Sequence, residues 1–220
     1  MLKDLKTYTN YSQMYNRRHL LKANYVWMPN FGVFIKNHRS LTNKVVLDFG
    51  CDIDSEVYKQ YRDQKNGRGS YWGFDRSVLA TKWLKKRGIY LDFWKQNKIS
   101  FDVINASQVY EHLDEKQREA FLIKSLESLK PGGKLYLDFP YVMNLGLMEF
   151  FQDRTHKPVS FIDEAMFLKQ IGFRVTLYAG GYSMPYASVF SYKNIARIIA
   201  NILLGYKPFF VTFIIAEKLK

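Results

Sequence analysis

The chain has a single cysteine, Cys51, and no long apolar run near its beginning. One cysteine excludes an internal disulfide and a cysteine-based metal site, and the opening MLKDLKTYTN lacks the apolar stretch of a signal peptide. Low-complexity and collagen-like bias are also absent, and 47% hydrophobic residues in 220 are enough to bury a core. We therefore expect one globular unit in the cytoplasm.

Apolar runs that could cross a bilayer are missing as well. The most apolar stretch, residues 195–216, is interrupted by Arg197, Gly205, Lys207 and Pro208. Its uninterrupted pieces fall short of the roughly 20 residues that a spanning helix needs, so we reject a membrane span. An interfacial helix, an oligomer contact such as a homodimer, and packing on the protein's own core remain open.

The net charge of +13 is concentrated at the two ends of the chain. Residues 1–44 carry +7 and residues 193–220 carry +4, which leaves +2 for the centre. Basic ends around a near-neutral centre suggest an anionic partner: a membrane surface with peripheral contact, a nucleotide-linked substrate or nucleic acid. Simple solubility is the alternative, because net charge carries no information about the fold.

From residue 44 onward, short β-rich runs alternate with helical patterns, which predicts an α/β fold with a mostly parallel sheet. One predicted helix, residues 115–130, has a capping box formed by Asp114 and Gln117. The other helices that the sequence predicts in this part of the chain are residues 77–87 and 162–171. The predicted strands are 45–49, 71–75, 89–93, 101–106, 134–139, 173–178 and 209–216.

Acidic residues lie at the carboxyl ends of the first three predicted strands. Asp48, Gly50 and Cys51 leave the first strand, Asp75 ends the second, and Asp92 ends the third. In an open parallel sheet, ligands bind beyond the carboxyl ends of the strands. A glycine turn that lets backbone approach a ligand, followed by an acid that accepts from ribose hydroxyls, is typical of a nucleoside site.

Four motifs in order make the interpretation more specific. They are Val45 to Cys51, Trp72 to Ser77, Phe101 through Leu113, and Leu129 to Leu135. With this order and spacing, roughly residues 43–178 resemble the class I S-adenosylmethionine-dependent methyltransferases. The resemblance implies a Rossmann-like sheet of seven strands, mostly parallel with an antiparallel last strand, and helices on both faces.

The resemblance also implies which residues contact the cofactor, S-adenosyl-L-methionine, whose product is S-adenosyl-L-homocysteine. Asp75 would bind the ribose hydroxyls, while Asp92 and Phe93 would border the adenine. Carboxylate acceptors suit the hydroxyls and amines of this cofactor. The residues placed at the cofactor are Asp48, Gly50, Cys51, Asp75, Arg76, Asp92, Phe93, Ser107 and Gln108.

The first turn departs from the family pattern. Asp52 and Asp54 stand where the family usually has two more glycines. Aspartate tolerates the left-handed region better than most residues, so we expect the turn to keep its shape. Two additional carboxylates change the electrostatics beside the cofactor.

Methyl transfer to a hydroxyl requires a base, and the candidates follow the fourth and fifth strands. His156, in an Asp-x-x-His element that resembles methyltransferases acting on sugars and lipid-linked intermediates, is the first choice; His112 and Tyr110 are the others. A surface or helix-capping role is the alternative for both histidines. No local spacing suggests a metal site. We expect O-methylation of a small molecule, a saccharide or a lipid-linked metabolite.

Two other functions remain open: a non-catalytic binding or scaffold protein that keeps the fold, and an RNA methyltransferase. An Asn/Asp-Pro-Pro-aromatic turn, typical of base amine methylation, is replaced by Asn105-Ala106-Ser107-Gln108, so nucleic acid is the less favoured acceptor. We divide the chain into an aromatic and basic helical or lid segment, residues 1–42, and a methyltransferase domain, residues 43–220. A helical excursion at about 180–206 interrupts the second part.

Overall fold

A computed structural model describes residues 24–25, 31–64, 69–140, 157, 159–180 and 211–219. The strands of this described part form one sheet: β1 (Asn24–Tyr25), β2 (Val45–Phe49), β3 (Ser70–Phe74), β4 (Phe101–Ser107), β5 (Leu129–Pro140), β6 (Phe173–Gly180) and β7 (Val211–Lys218). Across the sheet the order is β1-β6-β7-β5-β4-β2-β3. Neighbouring strands are parallel except β7, which is antiparallel to β5 and β6, as the sequence predicts.

Three of the described helices begin and end within two residues of the predicted ranges; of the other two, Phe31–His38 lies in the predicted helical or lid segment 1–42, and Glu56–Gln64 was not predicted. The capping box is confirmed: the Asp114 carboxylate accepts from the Gln117 N–H at 2.8 Å, and the Gln117 side chain accepts from the Asp114 N–H at 3.0 Å. That helix ends at Ser128, because Leu129 is already extended and pairs with Phe101. The helices are α1 (Phe31–His38), α2 (Glu56–Gln64), α3 (Val78–Lys86), α4 (Glu115–Ser128) and α5 (Phe161–Ile171).

The centre of the sheet explains the continuous apolar runs in the sequence. Leu47 of β2 lies beside Ile104 of β4, and Ile104 lies beside Leu135 of β5; all three side chains are fully buried. A parallel strand covered on both faces is apolar at successive positions instead of alternating.

Helices cover both faces of the sheet, as predicted. On one face, Ile35 of α1 and Tyr61 of α2 pack in one buried cluster with Tyr71 of β3. On the other face, Phe121 of α4 and Leu168 of α5 pack in a second cluster. Because helices cover the two faces of the sheet, the loops that follow the central strands meet at the carboxyl edge of the sheet.

One predicted strand is corrected. Residues 89–93 form only an isolated parallel bridge, between Tyr90 and Gly73, because Asp92 favours a turn. Its carboxylate accepts from the Trp94 N–H at 3.2 Å and its carbonyl accepts from the Gln96 N–H at 3.0 Å; such local bonds compete with strand pairing. The seventh strand of the sheet is instead β1, the two-residue segment Asn24–Tyr25 beside β6.

The excursion at about 180–206 lies almost wholly outside the described residues. Of the predicted strand 209–216, residues 211–216 belong to β7, and residues 209 and 210 lie outside the described residues. Of the segment 1–42, β1 and residues 31–42 are described, and Ile35 of α1 is part of the core. The division into two parts stays a prediction. None of the described helices is long and apolar enough to cross a bilayer.

Candidate active site

A cleft of about 280 Å³ lies at the carboxyl ends of β2, β3 and β4. Its volume is just below the range of roughly 300–1,000 Å³ that is common for small-molecule sites. Its position at the edge where parallel strands end is where ligands of open α/β sheets bind. The lining residues are Phe49, Gly50, Phe74, Asp75, Arg76, Gln108, Val109, His112 and Leu113.

Gly50 lies where the loops after β2 and β4 come closest together. Its φ is +72°, and a Cβ added there would lie 2.3 Å from a methyl carbon of Val109. The Gly50 N–H donates to the Phe74 carbonyl at 2.7 Å, which fixes the turn to the end of β3. Glycine is needed here both for its dihedral freedom and for the missing side chain.

The two aspartates that replace glycines keep the turn. Asp52 has φ +50° and Asp54 has φ +54°, so both adopt the left-handed conformation, which aspartate tolerates better than most residues, as predicted. Of this turn, Gly50 lines the cleft, and neither Asp52 nor Asp54 is among the lining residues. The turn therefore leaves the cleft open.

Asp75 is the predicted cofactor residue with the most suitable surroundings. Its two carboxylate oxygens accept backbone N–H bonds, from Asp52 at 2.8 Å and from Ser77 at 2.7 Å, and the half-buried residue lines the cleft. Each carboxylate oxygen has a second lone pair that can accept from a ligand hydroxyl. Asp75 thus joins the turn after β2 to the start of α3 and offers acceptors at the cleft.

Asp48, by contrast, is occupied inside the protein. Its exposure is only 2%, and its carboxylate accepts from Ser55 Oγ at 2.6 Å, Tyr71 Oη at 2.9 Å and Asn105 Nδ2 at 2.9 Å. Burial raises the pKa of Asp48 despite these bonds. Cys51 is also buried, and its burial raises the pKa of the thiol, which argues against a reactive thiolate.

The predicted adenine neighbours lie outside the cleft lining. Asp92 is held by the turn described above and lies 3.6 Å from Lys95. Phe93 is fully buried and packs edge-on against Phe49, with ring centroids 5.5 Å apart. Phe49 itself lines the cleft, so Phe93 supports the cleft wall from behind.

The loop after β4 is fixed by Asp138, which is not among the predicted site residues. Asp138 Oδ2 accepts from Ser107 Oγ at 2.8 Å and from Gln108 Nε2 at 3.0 Å, and its carbonyl accepts from the Gln108 N–H at 2.9 Å. These bonds hold Gln108 at φ +51°, where it lines the cleft. A charged residue inside the apolar run LYLDF was the available signal.

Arg39 is the second residue that sequence reasoning missed. It is 5% exposed and donates to Asn105 Oδ1 and to Gln60 Oε1. Its charge lowers the pKa values of Asp48 and Asp138 against the larger effect of their burial. Arg39 lies 66 residues from Asn105 in sequence, so no local pattern could indicate this network.

The three predicted bases differ in their positions relative to the cleft. His112 is half-buried and lines the cleft. Tyr110 is fully buried, its hydroxyl donates to Glu164 at 2.7 Å, and burial raises its pKa well above the usual value. His156 lies outside the described residues. The structure therefore brings one of the three, His112, to the cleft.

The residues around the cleft fit an adenosyl sulfonium cofactor. The Asp75 acceptors and the apolar walls Phe49 and Phe74 suit a ribose and a flat base. In the described part of the chain, no group of three or more His, Cys, Asp or Glu side chains is arranged to hold a metal ion.

Comparison with known families identifies the domain type. A family model described as a methyltransferase domain matches residues 22–175, well over half of the chain. A search of curated proteins found no match.

Solved structures share the fold at low sequence identity. A SAM-dependent methyltransferase from Archaeoglobus fulgidus is 21% identical with a TM-score of 0.61, covering 80% of this chain and 86% of that one. A phosphoethanolamine N-methyltransferase from Haemonchus contortus, in complex with phosphomonomethylethanolamine and S-adenosylhomocysteine, is 14% identical with a TM-score of 0.60, covering 88% and 53%. The plantazolicin methyltransferase BpumL, in complex with a pentazolic desmethylPZN analogue and SAH, is 16% identical with a TM-score of 0.55, covering 80% and 77%.

Proposed function

The chain belongs to the methyltransferase-domain family, and from this premise we propose that it methylates an oxygen atom of a small-molecule, saccharide or lipid-linked acceptor. Its cofactor is S-adenosylmethionine and its product is S-adenosylhomocysteine. The observation that supports a working cofactor site is the open cleft between Gly50 and Asp75, which persists although two glycines of the first turn are aspartates.

We assign the cofactor site chiefly to the side of the cleft formed by β2 and β3. When bound, S-adenosylmethionine supplies a methyl group on a positively charged sulfur. Asp75 would accept from the ribose hydroxyls. Gly50 would keep the cleft in shape, because its missing side chain makes room for Val109 of the loop after β4. Asp48 would act through Ser55, by keeping the turn in place. Cys51, Arg76, Asp92, Phe93, Ser107 and Gln108 remain predicted cofactor neighbours.

His112 would hold the proton of the acceptor hydroxyl. It lines the same cleft as Asp75, and a displacement at a methyl carbon needs mainly alignment, exclusion of water and removal of that proton. Tyr110 is left out of this role, since its hydroxyl is bound to Glu164 inside the protein. His156 stays a predicted second base, with no described position.

The acceptor class draws support from two sources. Arg76 is exposed at the rim of the cleft, where a guanidinium suits a phosphate or another anion. One protein of the same fold was solved with a phosphate-bearing small molecule. That neighbour methylates nitrogen, according to its name, so an amine acceptor is the outcome to exclude.

The test uses S-adenosylmethionine labelled in its methyl group, offered to the full chain with saccharides, lipid-linked sugar phosphates, phosphoamines and RNA. We expect label in an ether or ester methyl of one of the first two classes. His112→Ala should lower kcat by at least about 100-fold with an unchanged affinity for S-adenosylhomocysteine. Label on nitrogen or in RNA would contradict the oxygen assignment, and full activity of His112→Ala would remove the base.

A further inference from the structure

Three large apolar side chains are exposed close to the cleft. Val78 and Leu79 are each 68% exposed, and Ile53 is 44% exposed. Val78 and Leu79 form the first turn of α3, and Ile53 lies between the two aspartates of the turn after β2. The bond from the Asp52 N–H to Asp75 ties these two loops together. Exposed apolar residues beside a ligand cleft often mark an interaction surface.

The exposed residues of α3 lie on a single side of the helix. At 100° per residue, its exposed positions fall within an arc of about 120°, and the buried Ala80 and Leu84 lie opposite. The outward residues, here called the α3 face, are Val78, Leu79, Lys82, Lys85 and Lys86. The α3 face is apolar in its first turn, next to the cleft, and basic in the rest.

No acidic residue lies between Arg76 and Leu91, while five lysines and arginines do, counting Arg76. Two of these cations lie over aromatic rings: Arg87 is 3.9 Å from the ring centroid of Trp83, and Lys85 is 5.0 Å from that of Tyr90. This surface is therefore strongly positive, with two cations held in place. Such a surface needs an anionic partner that also accepts aliphatic side chains.

We propose that the α3 face docks the protein on an anionic phospholipid bilayer. Val78 and Leu79 would enter the boundary between headgroups and acyl chains, and the lysines would contact the headgroups. Nucleic acid suits the surface less well. Aliphatic tips do not stack on bases, and the Trp83 ring is already in contact with Arg87 and, at 5.2 Å, with Tyr58.

The docked orientation places the cleft at the bilayer. Arg76 belongs both to the cleft lining and to the loop that leads into the α3 face, so a lipid-linked acceptor could reach the cleft without leaving the membrane surface. This inference goes beyond the proposed function, because docking requires no methyl transfer and is measured without it.

Co-sedimentation with vesicles tests the charged part of the α3 face. Vesicles of phosphatidylcholine with equal phosphatidylglycerol should bind the full chain, and vesicles of phosphatidylcholine alone should not. A lysine near an anionic surface contributes about fivefold to binding, so Lys82→Gln with Lys86→Gln should weaken it roughly thirtyfold. The matched control, Lys116→Gln with Lys169→Gln, removes equal charge from exposed positions on α4 and α5 and should change binding less than about threefold.

The second variant keeps the charge of the α3 face and removes the aliphatic side chains at the start of the helix. Val78→Ser with Leu79→Ser should weaken vesicle binding about tenfold or more, since transfer of aliphatic groups contributes beside the charge. If the two lysine-pair variants lost vesicle binding equally, net charge alone would explain the effect and the proposal would be overturned. Retained vesicle binding in the serine variant would also overturn it. Binding to RNA in place of vesicles would do the same. Titration with S-adenosylhomocysteine should be unchanged in every variant, which separates this proposal from the transferase assignment.

Discussion

Two neighbouring regions at the carboxyl edge of the sheet use aspartate in opposite ways. Around the cleft, Asp75 is half-buried and its partners are main-chain N–H groups. On the α1 side, Asp48 and Asp138 are almost fully buried, bonded to side chains and close to the charge of Arg39. Asp48 is the last residue but one of β2, and Asp75 directly follows β3. Burial and the kind of donor therefore separate a residue that can meet a ligand from one that fixes the scaffold.

Among the substitutions that test this comparison, removal of the buried Arg39 cation should have the largest effect on stability. Arg39→Met leaves Asp48 and Asp138 buried without the charge that favours their ionised forms, and leaves Asn105 and Gln60 short of a donor. We expect a loss of about 3–5 kcal/mol in the free energy of unfolding, measured by urea denaturation. The control is Arg174→Met, whose side chain is 64% exposed in its pair with Glu217 and should cost less than about 1 kcal/mol. Similar losses of stability for both variants would show that the buried network contributes no more than an exposed ion pair.

Gly50→Ala tests the close contact between Gly50 and Val109 beside the cleft. The new methyl group would collide with Val109 in addition to the strain of a positive φ, so we expect a loss of about 3 kcal/mol and a weaker cofactor site. Gly132→Ala is the matched control, because Gly132 has φ +76° with nothing within 4 Å of the added methyl. Its loss should be about 1 kcal/mol, with unchanged cofactor affinity. Equal stability losses would mean that the Val109 contact relaxes freely.

The pH dependence of stability should have opposite signs at two aspartates. Burial raises the pKa of Asp138 above its ordinary value of 3.8, so the folded state keeps the proton to higher pH and stability falls as the pH rises through that interval. Asp138→Asn should flatten this slope and change stability near neutral pH by about 1 kcal/mol or less.

Asp102 provides the contrast for that measurement. Burial acts to raise its pKa, but bonds from Lys130 and from the Val45 N–H bring the pKa below its usual value. Its stabilising contribution is present above the ordinary pKa of the unfolded chain and is lost as the pH falls through the folded value. Asp102→Asn should therefore remove stability that Asp138→Asn does not. Parallel pH profiles for the two variants would contradict the assigned directions.

The sequence was sufficient for the features that depend on local pattern. Continuous apolar runs predicted the central strands, and Asp114 with Gln117 predicted a helix start that the structure confirms. The ordered motifs predicted the family, which the match over residues 22–175 confirms. These predictions succeeded because burial on both faces and helix capping leave a signal within a few residues.

Features set by distant contacts could not be predicted in the same way. Tyr110 was a reasonable base by position, yet its partner Glu164 is 54 residues away and turns the hydroxyl into the core. The bonds of Arg39 join the residue after α1 to α2, β4 and, through Asn105, β2, between side chains that no spacing in the sequence relates. Asp92 ended an expected strand, but its own hydrogen bonds make the turn that reduces this strand to one bridge.

Calorimetric titration of the intact protein with S-adenosylhomocysteine tests the central claim most directly, in the wild type, Asp75→Ala and Asp48→Asn. The account predicts that the wild type binds, that Asp75→Ala binds about 10- to 100-fold more weakly through loss of charge-assisted hydrogen bonds, and that folded Asp48→Asn stays within about threefold. Absence of binding to the folded wild type, or an affinity that depends on Asp48 and not on Asp75, would contradict it.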